Sequence, residues 1–379
     1  MPSQDFPDNK TAGPSRYAAL AALTLSCVML VGAWQMVAAL STPDGLQFPR
    51  SWTDFVEGRS TATLEKQLDQ KLPARTVLIT VANSVRYLLT GSGGEQVRAG
   101  RDGWLFLAEE LRFEPDGIAH LRARAELLGA ATRALDQQGV KLIVALVPDK
   151  ARVYADKLAG GRYPGYNSSR YQDALYAFHS QGVATVDLLK PLTEAAVQSE
   201  VYYRSDTHWN QAGAQIAAHA FARAVQQLGV DLDKTTFSSS KVSGPVERSG
   251  DLIRLMGLED APRAIGPSPD LEAPMVTRQI TADNAGGLFG DSTVPVVLTG
   301  TSYSSRGNFH GFLQQALSAQ VLNASKDGGG FLQSITAYLN DEAFHSSKPK
   351  VLVWELPERF LHTKLNIEPR WLQAVNLRP

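Results

Sequence analysis

Helical and strand-like segments alternate along residues 118–188, and a glycine separates each helix from the strand that follows. Apolar residues over 118–138 recur at helical spacing, and Gly139 ends that segment. The run 141–147, which is apolar from Leu142 onward, then predicts a buried strand. This alternation is typical of a parallel sheet covered by helices on both faces, so the sequence predicts an α/β fold. The same reasoning predicts further helices over 171–179, 309–319 and 331–339 and further strands over 183–188, 294–298 and 350–354.

Two polar stretches sit where such a fold places functional side chains. Thr299–Ser304, with the sequence TGTSYS, follows the predicted strand 294–298 directly and offers Ser302 as a candidate nucleophile. A serine hydroxyl needs a base and a group that orients the base. Asp206 and His208 supply both types one residue apart, on the loop before a helix that Asn210 is suited to cap.

These two stretches resemble the signatures of the O-acetyltransferases of bacterial exopolysaccharides, the alginate acetylation family, in which DxHW precedes GxSYS. Three further segments match in the same order: Gly103–Phe106, Val147–Lys150 and Trp354–Arg359. The resemblance covers most of the chain beyond residue 100 and favours the shorter, membrane-anchored members. It implies an SGNH-hydrolase-like fold with permuted motif order, because the acid and the histidine precede the serine.

The resemblance also implies the roles of three residues. Ser302 would attack an acetyl carbonyl, His208 would act as base, and Asp206 would orient His208. A sugar hydroxyl would then take the acetyl group from the acetyl-enzyme. From the residues alone, Ser302 is equally a turn serine beside Gly300, and His208 a core histidine bonded to Asp206.

Four other residues are candidates for binding substrate or stabilising the oxyanion. The backbone amides around Ser302 and Tyr303 are the first oxyanion donors to consider. Arg306 and Asn308 lie close to Ser302 in sequence, although they also suit a helix start with a solvated charge. Lys150 either binds a sugar carboxylate or faces solvent. We expect Glu355 and Arg359, which flank Pro357, to form a structural ion pair.

The segment 18–40 contains no charged residue and is long enough to cross a bilayer as one helix. We expect an uncleaved signal anchor after a short cytoplasmic tail, residues 1–17, although Val37–Ala39 leaves signal-peptide cleavage open. Residues 41–60, rich in Pro, Gly and Ser, suit a tether. The chain would then be a single-pass protein of the bacterial inner membrane, with a catalytic domain over 61–379 in the periplasm.

Within that domain, residues 231–291 contain five prolines and show little periodicity. We expect this segment to be an irregular insertion, either a mobile cover over the site or merely a long connection.

Composition and motif content exclude several function classes. The 37 basic and 38 acidic residues give a net charge of -1, which offers no footprint for nucleic acid. Cys27, the only cysteine, lies inside the proposed anchor, so cysteine chemistry is excluded beyond it. The Asp206-x-His208 pair also resembles a metallophosphatase ligand pair, but the rest of that signature is missing, so we expect neither a metal nor a cofactor.

By resemblance, the partners would be a polysaccharide acceptor and a multi-spanning membrane acyltransferase that delivers the acetyl group. The acceptor would be alginate, acetylated cellulose or another exopolysaccharide. A polysaccharide acetyl esterase and a non-catalytic scaffold of an export complex remain the alternatives.

Overall fold

The computed structural model of the chain describes residues 16–41, 52–59, 61, 63, 65–67, 75–280, 294–364 and 371–375. Its helices are α1 Arg16–Leu40, α2 Trp52–Val56, α3 Arg75–Thr90, α4 Gly117–Asp136, α5 Lys150–Val153, α6 Arg170–Ser180, α7 Leu189–Ala196, α8 Gln211–Gln227, α9 Asp251–Leu255, α10 Phe309–Leu317, α11 Gln333–Leu339, α12 Glu342–Ser346 and α13 Trp371–Ala374. Its strands are β1 Val97–Ala99, β2 Leu105–Leu107, β3 Lys141–Val147, β4 Ala184–Asp187, β5 Phe237–Lys241, β6 Val246–Arg248, β7 Asp270–Glu272, β8 Met275–Gln279, β9 Val296–Thr299, β10 Val321–Asn323 and β11 Val351–Pro357.

The chain divides into two compact units, residues 1–82 and 83–379. In the first unit, α1 covers the uncharged segment 18–40, and the short helix α2 lies in the stretch predicted to be a tether. Within the described residues, no helix has both the length and the apolarity needed to cross a membrane. Residues 1–15 of the predicted tail and 42–51 of the predicted tether lie outside the described residues.

The second unit is built on a five-stranded parallel sheet in the order β10, β9, β11, β3, β4. The α/β prediction is confirmed, and β3 has the predicted bounds. The apolar residues of β3 alternate between the two faces, so that Ile143 and Ala145 belong to one buried cluster and Leu142 and Val144 to the other. Each face of the sheet is therefore covered by helices.

The helices on each face of the sheet contribute apolar side chains to the buried cluster on that face. On one face, α8 and α10 contribute Phe221 and Phe312. On the other, α4, α6 and α11 contribute Leu128, Phe178 and Ile335. With apolar packing on both sides, the polar side chains that follow the strands collect at the carboxyl edge of the sheet, where β9, β11 and β3 end beside one another.

The segment 231–291 differs from the sequence-based expectation. Its described part, 231–280, carries four strands and a helix, because β5 pairs with β8, β6 pairs with β7, and α9 follows β6. Leu252 and Met256 are buried and pack with Val97 and Leu105. The interpretation of this segment as irregular is therefore wrong for 231–280. The sequence did not indicate these strands, because strands of three to five residues are too short to show a hydrophobic period. Residues 281–291 lie outside the described residues.

Candidate active site

Ser302 lies directly beyond the carboxyl end of β9, at the start of the 3₁₀ turn Ser302–Ser305. Gly300 makes this turn possible: its φ is +147°, and a Cβ atom there would lie 2.6 Å from Glu355 Oε2. The side chain of Thr301 caps the turn by accepting from the Tyr303 amide at 3.4 Å. Ser302 is only half-buried, whereas its neighbours Thr301 and Tyr303 are buried.

A buried carboxylate holds this turn from the neighbouring strand. Because Thr299 of β9 is in register with Trp354 of β11, the next residue along β11, Glu355, lies beside the turn. Glu355 Oε2 accepts from the Thr301 amide at 2.6 Å and from the Ser304 hydroxyl at 3.0 Å, and the Thr301 hydroxyl donates to the same carboxylate. Burial raises the pKa of Glu355, and these donors oppose the rise.

Asp206 and His208 lie on a short loop that an antiparallel bridge between Tyr202 and Trp209 closes. The Asn210 side chain caps α8 by accepting from the Gly213 amide at 3.1 Å, as predicted. Trp209 is fully buried, with its ring 5.0 Å from the ring of Tyr303. The indole therefore packs the loop against Ser302–Ser305, the turn of the candidate nucleophile, which we call the nucleophile turn.

The structure brings the three predicted triad residues together. His208 Nδ1 lies 2.6 Å from Asp206 Oδ1, and His208 Nε2 lies 2.6 Å from Ser302 Oγ. Burial favours the neutral acid, but the hydrogen bonds from the side chain and amide of His208 and the positive charge of Arg248 hold the pKa of Asp206 well below its usual range. An ionised Asp206 accepts the Nδ1 proton, which leaves Nε2 free to accept from the serine.

Tyr303 connects the two halves of the site. Its hydroxyl donates to the Thr207 carbonyl at 2.7 Å, and its ring meets the His208 imidazole edge-on at 4.8 Å. Its amide, which we expected to bind an oxyanion, already makes the long hydrogen bond to Thr301.

Lys150 neither faces solvent nor lies free to bind a sugar carboxylate, so both sequence-based alternatives are wrong. It is fully buried, and its ammonium donates to the carbonyls of Arg204 and Asp206 at 2.8 Å each. The rings of Trp104 and Phe106 lie 5.2 and 5.4 Å away. Burial lowers the pKa of Lys150 to about 8.

Arg306 and Asn308 make contacts away from the triad. The Arg306 guanidinium pairs with Asp327 at 2.9 Å in a half-exposed ion pair. Asn308 has a left-handed backbone, with φ of +56°, and its amide donates to Thr277 Oγ1 at 2.9 Å. These contacts match the structural alternative given for Arg306 and Asn308, a helix start with a solvated charge, since Asn308 directly precedes α10.

The expected ion pair between Glu355 and Arg359 is wrong. Glu355 points toward the nucleophile turn, whereas Arg359 lies 3.7 Å from Glu109. Because β11 lies beside β9, its residue Glu355 lies next to the turn that contains Ser302. The spacing of Glu355 and Arg359 around Pro357 did not reveal this contact.

Arg248 and Asp251 also contact the candidate triad loop, and the sequence did not predict them. Arg248 Nη1 donates to Asp206 Oδ2 at 3.0 Å, and Asp251 accepts from the Thr207 amide at 2.8 Å. They come from the segment interpreted as irregular. The only signal in the sequence is that both are charged residues close to Gly250 in a Pro-rich stretch.

Asp206, His208 and Asp251 form a triplet whose ligand atoms all lie within 4.8 Å, which is close enough to hold a metal ion. Protein donors occupy these oxygens: Arg248 bonds Asp206 Oδ2, and Thr207 donates to both oxygens of Asp251. A cation on Asp206 disfavours a second cation at the same oxygen. The donor pattern therefore fits a hydrogen-bonded catalytic relay better than an open ligand set.

Comparisons with known proteins show the family of the chain. Residues 97–358 match the family described as SGNH hydrolase-like domain, acetyltransferase AlgX. The chain is 32% identical over 361 residues to the probable alginate O-acetylase AlgJ of Pseudomonas putida, covering 92% of this chain and 91% of that protein. It is 33% identical over 326 residues to AlgJ of Pseudomonas aeruginosa, covering 82% of this chain and 81% of that protein.

Two solved structures are similar in fold. The O-acetyltransferase domain of Pseudomonas putida AlgJ matches with a TM-score of 0.65 and 33% identity over 74% of this chain and 99% of that one. Pseudomonas aeruginosa AlgX matches with a TM-score of 0.56 and 27% identity over 74% of this chain and 66% of that one. The chain therefore belongs to the family of SGNH hydrolase-like acetyltransferase domains that includes AlgX.

Proposed function

We propose that this chain is a polysaccharide O-acetyltransferase in which Ser302 is the nucleophile, His208 the general base and Asp206 the residue that orients the base. The observation that carries the proposal is the unbroken hydrogen-bonded relay from Asp206 through both ring nitrogens of His208 to Ser302, with links of 2.6 Å. Membership of the acetyltransferase family supports the reaction class, and relatives named alginate O-acetylases support a polysaccharide acceptor.

In the first half of the reaction, Ser302 Oγ attacks the acetyl carbonyl while His208 Nε2 takes the hydroxyl proton. The imidazolium that forms keeps its Nδ1 proton on the Asp206 carboxylate. When the tetrahedral intermediate collapses, the bond to the donor's leaving group breaks and His208 returns the proton to that group. The product is an acetyl ester on Ser302.

In the second half, a sugar hydroxyl attacks the acetyl-enzyme. His208 removes the proton of the incoming hydroxyl and then gives it to Ser302 Oγ as the serine leaves. The same base thus serves both steps, and the cycle needs no cofactor. The Ser302 amide, at the start of the 3₁₀ turn, is the first candidate donor to the oxyanion.

The proposal extends to location and partners. The uncharged segment 18–40, which α1 covers, would serve as a single inner-membrane anchor with the catalytic unit in the periplasm. A multi-spanning acyltransferase would deliver acetyl groups from the cytoplasm. Alkaline phosphatase fused after residue 60 should be active, and an inactive fusion would reverse this topology.

The activity test incubates the purified full-length protein with 4-nitrophenyl acetate, with and without mannuronate oligosaccharides. We expect acetylated oligosaccharide, detected by mass spectrometry. Ser302→Ala and His208→Ala should each lower turnover about a thousandfold or more, because each removes one member of the relay. Ser305→Ala is the matched control, since Ser305 is an exposed serine on the same turn.

Three outcomes would contradict the proposal in different ways. Acetate release without acetylated sugar for any acceptor would indicate an esterase. Inactive wild-type protein that still binds the polymer would indicate a scaffold. Full activity of Ser302→Ala would refute the role of the serine.

A further inference from the structure

The segment Arg248–Asp251, which we call the clasp, closes over the loop that carries Asp206 and His208. Arg248 Nη1 donates to Asp206 Oδ2 at 3.0 Å, and the Asp251 amide donates to the same oxygen at 3.1 Å. The Asp251 carboxylate accepts from the Thr207 amide at 2.8 Å and from the Thr207 hydroxyl at 2.5 Å. These four hydrogen bonds join the clasp to Asp206 and Thr207 of the loop Tyr202–Trp209, which we call the acid–base loop.

The contact between the clasp and the loop is close and ordered. A Cβ atom on Gly250 would lie 2.0 Å from the Ser205 carbonyl oxygen, so a larger residue at this position would push the two segments apart. The Gly250 amide donates to Ser205 Oγ at 3.1 Å, and the Leu252 amide donates to the Ser205 carbonyl at 3.2 Å. Leu252 and Ile253 follow directly and are buried. The clasp is therefore packed against the loop and is not a solvent-exposed cover.

The two oxygens of Asp206 have separate partners. Oδ1 accepts from the amide and from Nδ1 of His208, at 3.0 and 2.6 Å. Oδ2 accepts only from the clasp within the described residues. The clasp therefore fixes the rotation of the carboxylate plane, which decides whether Oδ1 faces the imidazole.

The Arg248 side chain is itself held in place. Its guanidinium lies 4.1 Å from the centroid of the Tyr203 ring, and its side chain is 28% exposed. The Tyr203 hydroxyl donates to Glu272, which lies on β7, the strand that pairs with β6. An arginine fixed in this way acts as a charged donor of defined direction.

Several other charged groups face the acid–base pair. Asp251 Oδ2 lies 3.7 Å from His208 Nδ1, and Lys150 binds the Asp206 carbonyl. Asp270 of β7 accepts from the amide of Ser205, next to Asp206. Arg248 is the cation that touches the Asp206 carboxylate itself.

We propose that Arg248 is a positioning residue of the acetyl-transfer site, which fixes the Asp206 carboxylate toward His208 and so keeps the imidazole oriented to accept the Ser302 proton. This inference rests on the proposed function. It also assigns the segment after β6 to the catalytic apparatus, since Arg248 reaches Asp206 from outside the central sheet.

The proposal predicts a change in both rate and pH dependence. Without the arginine, the carboxylate rotates more freely and productive orientations become rarer. The positive charge beside the acid–base pair is also lost, so binding of a proton to that pair becomes less unfavourable and the acid limb of the pH–rate profile should move to higher pH. A purely structural residue would not move the pH profile.

The experiment uses the full-length protein in detergent and follows sulfonylation of Ser302 by phenylmethylsulfonyl fluoride with intact mass spectrometry between pH 5 and pH 9. Turnover of 4-nitrophenyl acetate is measured in parallel. The variants are Arg248→Met, which removes the charge and keeps much of the side-chain length, and Arg248→Lys, which keeps the charge. Arg263→Met is the matched control, because Arg263 lies in the same segment and its ion pair with Glu247 is solvent-exposed.

We expect Arg248→Met to lower the rates of sulfonylation and of ester turnover about tenfold at their optimal pH. The acid limb of the pH–rate profile should move to higher pH by about half to one unit. Arg248→Lys should restore the position of the limb, and Arg263→Met should match the wild type. An unchanged rate and limb in Arg248→Met would overturn the proposal, as would a lower rate whose limb stays at the wild-type pH.

The controls separate this inference from the proposed function. Wild-type protein that neither reacts with the sulfonyl fluoride nor turns over the ester would refute the serine mechanism. Normal wild-type reactivity that Ser302→Ala abolishes, combined with wild-type behaviour of Arg248→Met, would refute the role of Arg248 alone. If Arg248→Met does not fold, as judged by circular dichroism, Arg248→Gln provides the same comparison.

Discussion

The two halves of the active site are supported in different ways. The nucleophile turn rests on Glu355, a fully buried carboxylate on a central strand, which accepts from Thr301 and Ser304. The acid–base loop is held by Arg248 and Asp251, both of which are partly exposed and lie outside the central sheet. Changes near the serine should therefore lower the stability of the whole fold, whereas changes in the clasp should alter proton transfer with little loss of stability.

The largest effect should come from Glu355→Ala. This substitution leaves the Thr301 amide and two hydroxyls buried without their acceptor, and each such group costs about 1–3 kcal/mol. We expect the free energy of unfolding, measured by urea denaturation, to fall by at least about 3 kcal/mol. Glu355→Gln is the control, since its amide oxygen still accepts. A stable Glu355→Ala protein that lost only activity would break the comparison.

Lys150→Met tests whether the acid–base loop also depends on the core. Methionine retains the packing against Trp104 and Phe106 but leaves the carbonyls of Arg204 and Asp206 without their buried donor. We expect a loss of about 2–4 kcal/mol in the free energy of unfolding. Thermal denaturation of Lys150→Met beside Arg248→Met would measure the difference. Equal stability of the two variants would show that the core contributes no more than the clasp.

Glu110→Gln should have the smallest effect, and its sign depends on pH. Burial raises the pKa of Glu110 to about 7, although Arg359 opposes the rise. The folded chain then binds more protons than the unfolded chain between about pH 4.5 and pH 7, so this stability is present at low pH and is lost as the pH rises through about 7. Near pH 4 Glu110 is largely protonated in both the folded and the unfolded chain, so the free energy of unfolding changes little with pH there.

Relative to the wild type, Glu110→Gln should therefore gain about 1–3 kcal/mol in the free energy of unfolding between pH 4 and pH 8. Urea denaturation at the two pH values measures the gain. Glu110 accepts from the Ala151 amide, next to Lys150. The result would therefore show how far protonation of Glu110 changes the stability of the fold near the acid–base loop. A difference between variant and wild type that stayed constant with pH would contradict the raised pKa.

The sheet and the triad were predictable because their signals are local. The run 141–147 is apolar from Leu142 to Val147 and lies between Gly139 and Pro148, and β3 has the bounds 141–147. Ser302 and His208 sit within contiguous signatures, so a few neighbouring residues were sufficient to identify them. The predicted strand 350–354 extends to Pro357, because β11 pairs with β3 along its whole length.

The supporting residues were not predictable, because their contacts cross long stretches of sequence without a pattern. Arg248 and Asp206 are 42 positions apart, and Glu355 and Thr301 are 54 apart. Lys150 was misjudged because a lysine beyond a strand usually faces solvent. Only the fold shows that two backbone carbonyls and two aromatic rings enclose it.

Gly300 has a consequence for how relatives of this chain can diverge. A side chain there would be strained by the φ of +147° and would displace Glu355, which in turn would release Thr301 and Ser304. A non-glycine residue at position 300 therefore costs both backbone strain and the hydrogen bonds of Glu355, and a change at position 355 relieves only the second cost. A mutagenesis library that varies position 300, alone or together with position 355, should therefore recover glycine almost exclusively at position 300.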